Sequence, residues 1–277
     1  MDLLSNMTFI ERGILAGIII GLIAPVVGSF LLVRRISVVT ESISHITLTG
    51  ISAGVFLGTV GPLFQSINPM YMGVVFALIG ALITERLRDM YRHFQELAVP
   101  IILSTGIGLS AIFISLARTG YTEWYSYLFG SIVSVTISDV QFIIFTAIVV
   151  LVLICLFYKE FVLISFDQEY AQVSGVSMKV VNFIFALLIA MVISMSMKVV
   201  GILLVGALVV IPIATSIQIA KSFKQLILFG IVFAEMAILL GLCFSYQFNI
   251  ATGGMIVLIS LIILMMILLA KKIKVLN

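Results

Sequence analysis

Two ionisable side chains, Glu41 and His45, lie inside one long apolar stretch of the sequence, and a third, Glu235, lies inside another. A charged side chain at the centre of a membrane span costs about 2.5–3.5 kcal/mol on insertion scales, so such residues are the default candidates for function. Glu41 and His45 are four residues apart, which places them on one face of a helix. A carboxylate and an imidazole one turn apart can both bind a single divalent metal ion.

Two ligands are too few for a tight structural metal site. The pair suits a site that must release its ion, or one that a second subunit completes. The alternative is that Glu41 and His45 only form hydrogen bonds within a helix bundle, and the residue types leave both interpretations open. Glu235 stands alone in an apolar stretch, where a structural role is the simpler interpretation.

The helix that carries this pair is predicted to pack closely against a neighbour. Small residues recur every four positions on roughly the face opposite to Glu41 and His45, namely Gly50, Gly54 and Gly58. Glycines at this spacing let two membrane helices approach each other. The helix is therefore expected to have a polar stripe on one side and a packing stripe on the other.

Two catalytic patterns can be discounted. The run from Gly50 to Gly54 matches the G-x-S-x-G pattern of serine hydrolases, but that pattern needs a strand–turn–helix elbow and here lies in a continuous apolar helix. His45 would lie about 10 Å from Ser52 along the helix axis, at a rise of about 1.5 Å per residue. No glycine of the chain is followed by lysine, so the G-x-x-x-x-G-K-[ST] phosphate-binding loop is missing. If ATP drives the protein, a separate chain must hydrolyse it.

The composition determines the class of protein. The chain has 277 residues, of which 62% are hydrophobic and 10% are charged, whereas a soluble domain is usually about 45–50% apolar and about 25% charged. One soluble core of this size cannot bury so many apolar side chains. The composition excludes an ordinary soluble enzyme, a disordered chain and a nucleic-acid-binding domain. It predicts an all-α, polytopic membrane protein.

Nine apolar segments are candidates for membrane-spanning helices. They are residues 13–33, 38–60, 70–84, 98–117, 138–157, 180–197, 199–219, 225–245 and 252–270. The third segment is short and the break near residues 197–198 is thin, so eight spans with one re-entrant or broken segment is the alternative. No appended soluble domain is expected, and residues 1–277 are predicted to form a single transmembrane domain.

The basic residues predict the orientation in the membrane. Arg12, Arg118 and Lys198 fall on one side of a nine-span chain, and the other twelve of the fifteen Lys and Arg residues fall on the opposite side. Cytoplasmic loops of membrane proteins carry an excess of Lys and Arg. The N-terminus is therefore predicted to lie outside and the C-terminus in the cytoplasm, provided that the chain has nine spans.

A polar segment between the fifth and sixth candidate spans predicts a short amphipathic helix. Ser165 or Asp167 can cap its start, and Gly175 can end it. The apolar side chains of Phe166, Tyr170 and Val173 share one side, and those of Asp167, Glu169 and Gln172 lie elsewhere. Such a helix either packs on its own bundle or docks onto a cytoplasmic partner, and the pattern leaves both open.

Residues Phe30–Gly50 resemble the signature of the bacterial metal-ion ABC permeases, the membrane subunits of zinc and manganese importers. The family pattern has two arginines, an acidic residue, Ser-His and then a glycine, which correspond here to Arg34-Arg35, Glu41, Ser44-His45 and Gly50. Residues Ser165–Gly175 resemble the coupling helix that docks onto the ATPase. Residues Lys198–Pro212 and Gly241–Gly254 resemble the late proline-containing helix and the last outer loop of the family.

The resemblance implies an all-α permease fold in the bacterial cytoplasmic membrane and a transport subunit that is not an enzyme. The implied partners are cytoplasmic ABC ATPase subunits, an extracytoplasmic metal-binding protein, a second permease copy in a homodimer, and membrane lipid, without nucleic acid. The chain itself would bind no cofactor, and ATP would be used by the partner subunit. A stand-alone carrier driven by an ion gradient is the rival interpretation.

The resemblance also assigns residues. Glu41 and His45 are implied to contact the transported ion, and a coupling helix near residues 166–176 is implied to engage the ATPase through Phe166, Asp167, Glu169, Tyr170 and Gly175. The family usually has Asp at the position of Glu41. It also usually has an acidic residue and a proline near residues 249–252, which this chain lacks, so the resemblance implies no metal role for that loop.

The resemblance favours zinc over manganese as the transported ion. Manganese-type members often have proline at the position of Thr49, whereas the run Ile-Thr-Leu-Thr-Gly here is closer to the zinc-type members. Neutral histidine is also a good zinc ligand. Chemistry alone leaves manganese as the alternative, because a Glu–His pair accepts either ion.

Overall fold

The computed structural model describes residues 7–61, 68–91, 93–117 and 121–276, and within them every regular element is helical. A single 3-10 turn at Gln95–Leu97 leads into the fourth helix. The helices are α1 (Phe9–Val33), α2 (Val39–Val60), α3 (Pro69–Met90), α4 (Ala98–Ala117), α5 (Tyr121–Phe129), α6 (Ile137–Leu156), α7 (Tyr158–Phe166), α8 (Gln168–Val173), α9 (Met178–Val200), α10 (Ile202–Ser216), α11 (Phe223–Phe248) and α12 (Thr252–Leu276). The predicted all-α class is confirmed.

Eight helices of the described residues are long and apolar enough to cross a membrane. The seventh predicted segment, 199–219, contains the short helix α10, which has only 15 residues and extends about 22 Å at about 1.5 Å per residue. The third predicted segment is not short, because α3 continues from Pro69 to Met90. The thin break expected near residues 197–198 lies instead at Gly201. This residue has a φ of 85° and separates the end of α9 from the start of α10.

Polar contacts define two ends of the helix bundle. At the first, the Lys198 end, Lys198 Nζ lies 3.1 Å from Asp139 Oδ2, and Asn68 Nδ2 donates to Asp139 Oδ1 at 3.0 Å. At the second, the Arg34 end, Arg34 Nη2 donates to Asn182 Oδ1 at 2.7 Å, and Asn182 Nδ2 donates to Glu85 Oε1 at 3.1 Å. These contacts join α3, α6 and α9 at one end, and α1, α3 and α9 at the other.

The short helix α10 connects these two ends. Gly201 directly precedes it and lies against the backbone of Gly130 next to the Lys198 end. Just after it, Gln218 accepts a hydrogen bond of 3.2 Å from Lys271 near the end of α12. The chain therefore passes from one end to the other through α10, as a nine-segment path requires. Which end faces the cytoplasm stays a prediction from the charges, and two of those charges, Arg92 and Arg118, lie outside the described residues.

The centre of the bundle is formed by α1, α2 and α9. Between 61% and 67% of the apolar window of each is buried, compared with 22% for α12 and for the segment that contains α4. Close approach depends on the predicted glycine stripe of α2, since a side chain at Gly50 or Gly54 would meet Met72 of α3. The helix that carries Glu41 and His45 is thus held in the interior.

Candidate metal pathway and partner-binding helix

Glu41 lies in the first turn of α2 and is half-buried. Its carboxylate lies against Gly206 of α10, so that a β-carbon built at Gly206 would be 2.8 Å from Oε2. Within the described part of the chain, the Glu41 side chain has no ion pair and no hydrogen bond. Its oxygens therefore keep their full capacity to bind a cation.

His45 follows one turn later and is 7% exposed. Its Nδ1 atom is buried without a hydrogen-bond partner among the described residues, and the same holds for the neighbouring Ser44 Oγ. Glu41 is close enough to act electrostatically on the imidazole. The buried polar atoms are unusual, because nearly all buried polar groups in proteins form hydrogen bonds.

Helix α4 holds the backbone of α2 in place at His45. Gly106 of α4 allows this contact, since a β-carbon there would lie 2.9 Å from the carbonyl carbon of His45. One turn further along α2, Thr49 Oγ1 donates to the Gly106 carbonyl at 2.9 Å and to the His45 carbonyl at 3.1 Å. The backbone under the imidazole is therefore fixed by packing and by hydrogen bonds, while its Nδ1 atom stays free.

The arrangement brings together one carboxylate and one imidazole, and no more. In the described ranges no group of three or more His, Cys, Asp or Glu residues could hold a metal ion. A single copy can thus offer an ion two side-chain ligands on one helix face. Water or a second chain would have to complete the coordination, which suits transient binding better than permanent binding.

The other sequence candidates do not join this pair. Ser52 Oγ donates to the Thr49 carbonyl at 2.9 Å within continuous α2, so no nucleophile elbow exists there. Glu235 lies in α11 against Gly21 of α1, with Oε1 buried and unpartnered. Thr252 Oγ1 accepts a hydrogen bond from the Ile132 amide at 3.2 Å and thus ties the last loop to the chain before α6.

The polar segment after α7 forms the expected short helix with a small change in its bounds. Asp167 is the cap, since its Oδ1 accepts from the Tyr170 amide at 2.9 Å, whereas Ser165 Oγ donates to the Phe161 carbonyl. Phe166 is the last residue of α7 and does not belong to the short helix α8. Gly175 follows the end of α8 with a φ of 82°, as a helix-ending glycine does.

The apolar side chains around this short helix are mostly exposed, although the Phe166 ring lies 5.7 Å from the Phe223 ring of α11. Phe166, Tyr170 and Val173 are 63%, 59% and 88% exposed, and Glu169 is exposed as well. Ala171 is fully buried, so α8 rests on the bundle through this small residue. We call the exposed side chains of Phe166, Tyr170 and Val173 the α8 face.

The polar cluster at the Arg34 end lies close to the short helix α8. Arg34 lies over the Phe185 ring at 4.5 Å from its centroid and donates to Asn182. Burial lowers the pKa of Arg34 to about 10, although nearby Glu85 acts in the opposite direction, so the guanidinium stays charged at neutral pH. The cluster borders a cavity of about 210 Å³ whose lining also includes Gln168 of α8.

Sequence reasoning did not identify several of these contacts. Gly206 gave no signal of its own, because it is one of 21 glycines in the chain. Asn182 and Glu85 were missed because both lie near helix ends, where polar residues are ordinary. Only Asp139 carried a usable signal, since Thr136-x-x-Asp139 has the spacing of a capping box.

Comparison with known proteins gives a family match along most of the chain. The model of the ABC 3 transport family matches residues 6–271. The manganese transport system membrane protein MntC of Listeria monocytogenes is 31% identical over 260 residues, which are 94% of this chain and 90% of MntC. The manganese import system permease protein ScaB of Streptococcus gordonii is 32% identical, with the same two coverages. The high-affinity zinc uptake system membrane protein ZnuB of Haemophilus influenzae is 28% identical over 247 residues, which are 89% of this chain and 92% of ZnuB.

Solved structures show the same fold. A chain of PsaBC from Streptococcus pneumoniae, solved in complex with Fab, superposes with a TM-score of 0.85 at 28% identity, and the match covers 96% of this chain and 93% of the other. A putative metal-chelate type ABC transporter in an inward-facing conformation superposes with a TM-score of 0.68 at 16% identity and shares the fold alone.

Proposed function

The chain belongs to the ABC 3 transport family and is a membrane permease of a metal-ion ABC importer, and on this basis we propose that Glu41 and His45 contact the ion on its way through the membrane. As a permease it is a transport subunit, and ATP hydrolysis belongs to a separate chain. The observation that carries the proposal is the shared face of Glu41 and His45, where a carboxylate without a partner adjoins a buried, unpartnered Nδ1 atom.

The free coordination capacity of the pair supports a role for a second permease copy. Each copy supplies one carboxylate and one imidazole, so two copies around a shared axis supply four ligands. Four ligands of this kind suit the tetrahedral coordination of zinc. We therefore propose a homodimer in which the two α2 helices provide the ion contacts.

Zinc is the proposed ion, and manganese is the second candidate. The imidazole of His45 favours zinc by ligand chemistry. Manganese prefers oxygen ligands, which Glu41 can supply, and two of the relatives, MntC and ScaB, are named as manganese proteins, whereas ZnuB is named for zinc. Uptake of both ions should therefore be measured in the same experiment.

The α8 face is proposed to dock onto the cytoplasmic ATPase subunit. Phe166 at the end of α7, with Tyr170 and Val173 of α8, leaves apolar side chains exposed at the end of the bundle, as is typical of an interaction site. The charges predict that this end faces the cytoplasm, where the ATPase works. An extracytoplasmic binding protein is proposed to deliver the ion at the Lys198 end.

Metal accumulation tests the pathway residues. Cells that lack their own zinc and manganese importers would express the chain with its ATPase and binding protein, as wild type, Glu41→Ala or His45→Ala, and the intracellular metal would be measured. Each variant is expected to reduce uptake by at least tenfold at equal membrane protein level. Loss of a metal ligand leaves too few groups to hold the ion.

The matched control is Ser52→Ala, because Ser52 is a buried polar residue of the same helix that bonds only within α2. Full uptake by His45→Ala would exclude the pathway role and leave the imidazole as a packing group. Uptake of manganese alone would reject zinc but keep the site. Uptake without any ATPase would favour the stand-alone carrier.

Co-purification tests the docking surface. Tyr170→Ala is expected to lower recovery of the ATPase subunit with the permease, because it removes an aromatic side chain that is 59% exposed on the α8 face. Tyr246→Ala is the matched control, since Tyr246 is 54% exposed but lies in the last turns of α11, at the Lys198 end. Equal recovery for both variants would show that the ATPase docks elsewhere.

A further inference from the structure

We infer that Gly206 is a positioning residue for transport, because its missing side chain leaves a notch in α10 in which the Glu41 carboxylate rests. The inference depends on the proposed role of Glu41 as an ion contact. Gly206 belongs to a different helix from Glu41 and lies 165 positions later in the sequence. It would act only through Glu41, without touching the ion.

The geometry of the notch is narrow. A β-carbon at Gly206 would lie 2.8 Å from Glu41 Oε2 and 4.0 Å from its carboxyl carbon, and the next nearest atom is Thr40 Oγ1 at 3.7 Å. A carbon–oxygen distance of 2.8 Å is too short for two atoms that are not bonded, whereas 3.7 Å is ordinary contact. A methyl group at this position would therefore displace the carboxylate and nothing else.

The kind of atom that an added methyl group would meet distinguishes Gly206 from glycines at which two helix backbones touch. At Gly28 and Gly253 an added methyl group would meet backbone carbonyls, which cannot move without shifting a helix. At Gly206 it meets the far end of a flexible side chain, which can rotate away. Alanine is also a better helix former than glycine, so α10 itself is not weakened.

Displacement of the carboxylate has a functional consequence. The notch sets where the carboxylate oxygens lie relative to His45 one turn along α2. Residues that orient a metal ligand from outside the ligand set typically change metal affinity by about 10–100-fold when mutated. Gly206→Ala should therefore weaken ion binding along the pathway while the permease stays folded and abundant in the membrane.

A shorter carboxylate should restore the fit. Glu41→Asp withdraws the carboxylate by one methylene group, which frees the space that a methyl group at position 206 would occupy. The four permeases to compare are wild type, Gly206→Ala, Glu41→Asp and the double variant, each with its ATPase and binding protein. Initial uptake rates over a range of zinc concentrations, and of manganese in parallel, separate the half-saturating concentration from the maximal rate.

We expect Gly206→Ala to raise the half-saturating ion concentration about tenfold at unchanged thermal stability, and the double variant to recover at least half of this change on a logarithmic scale. The control is Gly17→Ala, where an added methyl group would lie 2.9 Å from Ile238 Cγ2, a comparable overlap with a hydrocarbon side chain. Glu41→Asp should not rescue any defect of Gly17→Ala.

Three results would overturn the inference. Unchanged kinetics of Gly206→Ala would mean that the carboxylate position does not matter, although the pathway role of Glu41 would survive if Glu41→Ala still abolishes uptake. A defect of Gly206→Ala that Glu41→Asp does not relieve would assign the defect to packing. Full uptake by Glu41→Ala would reject the pathway role itself, and the positioning role with it.

Discussion

The ion pair between Lys198 and Asp139 makes a sharp prediction about stability. The charges are 3.1 Å apart, and their side chains are 13% and 4% exposed. Asp139 Oδ1 also accepts from Asn68, and Oδ2 accepts from the Thr136 amide at 2.9 Å. The pair therefore ties α3, α6 and α9 together at the Lys198 end.

The expected magnitude follows from distance and burial. Two unit charges 3.1 Å apart attract each other by about 5 kcal/mol at an effective dielectric constant of about 20. Removing one partner of a buried pair leaves the other charge uncompensated and costs about 3–5 kcal/mol. Lys198→Met should therefore destabilise the folded permease by about this amount, because it keeps most of the lysine hydrocarbon and removes the ammonium group together with its 3.3 Å bond to the Ser134 carbonyl.

Chemical unfolding of the purified permease in a fixed detergent measures the effect, with Asp139→Asn and the double variant completing a double-mutant cycle. The double variant should be more stable than the sum of the single effects predicts, by about 1–3 kcal/mol. Lys271→Met is the matched control, since Lys271 Nζ bonds to Gln218 at an exposed site, and its effect should stay within about 0.5 kcal/mol. A coupling energy near zero, or equal effects of the two lysine variants, would refute the assignment of a buried ion pair.

Three further predictions concern other parts of the fold. Ser52→Ala should transport at the wild-type rate in the uptake assay, because its hydroxyl bonds only to a carbonyl of its own helix; a large loss would reopen the hydrolase interpretation. Gly201→Ala should lower the free energy of unfolding by about 1–3 kcal/mol or more. The φ of 85° and ψ of 146° at this position are nearly restricted to glycine, and the added carbon would overlap the Gly130 backbone. Wild-type stability in the same unfolding assay would contradict this. Asn182→Leu should cost about 1.5–3 kcal/mol by removing the acceptor of the Arg34 guanidinium, and wild-type stability of this variant in the same assay would contradict the assignment.

Much of the fold could be predicted from hydropathy alone. The positions of the apolar segments identified all the long helices, because burial in a membrane requires nearly continuous apolar sequence. Errors arose where helix ends depend on other signals. The third predicted segment stopped at residue 84, before Arg86 and Arg88, yet long basic side chains can extend from the last turns of a helix towards water.

The sequence predicted that Glu41 and His45 share a helix face, but it could not predict what surrounds them. Helical periodicity alone places Glu41 and His45 on one face, since residues four apart are neighbours on any α-helix. The lack of hydrogen-bond partners for His45 Nδ1 could not be predicted, because it depends on which side chains the neighbouring helices present. The same limit applies to the α8 face, whose exposure depends on how the bundle ends.

The sequence by itself determined the membrane class, the long helices and the shared face of Glu41 and His45, all of which depend on composition or on residues within one or two helical turns. Only the tertiary structure decided that Gly206 lies beneath Glu41 and that Lys198 meets Asp139. Apolar helices are alike in hydropathy, so hydropathy says where they begin and end but not which of them become neighbours. That choice follows from the detailed shapes of their packed surfaces, in which the absence of a single side chain can set the position of a carboxylate on another helix.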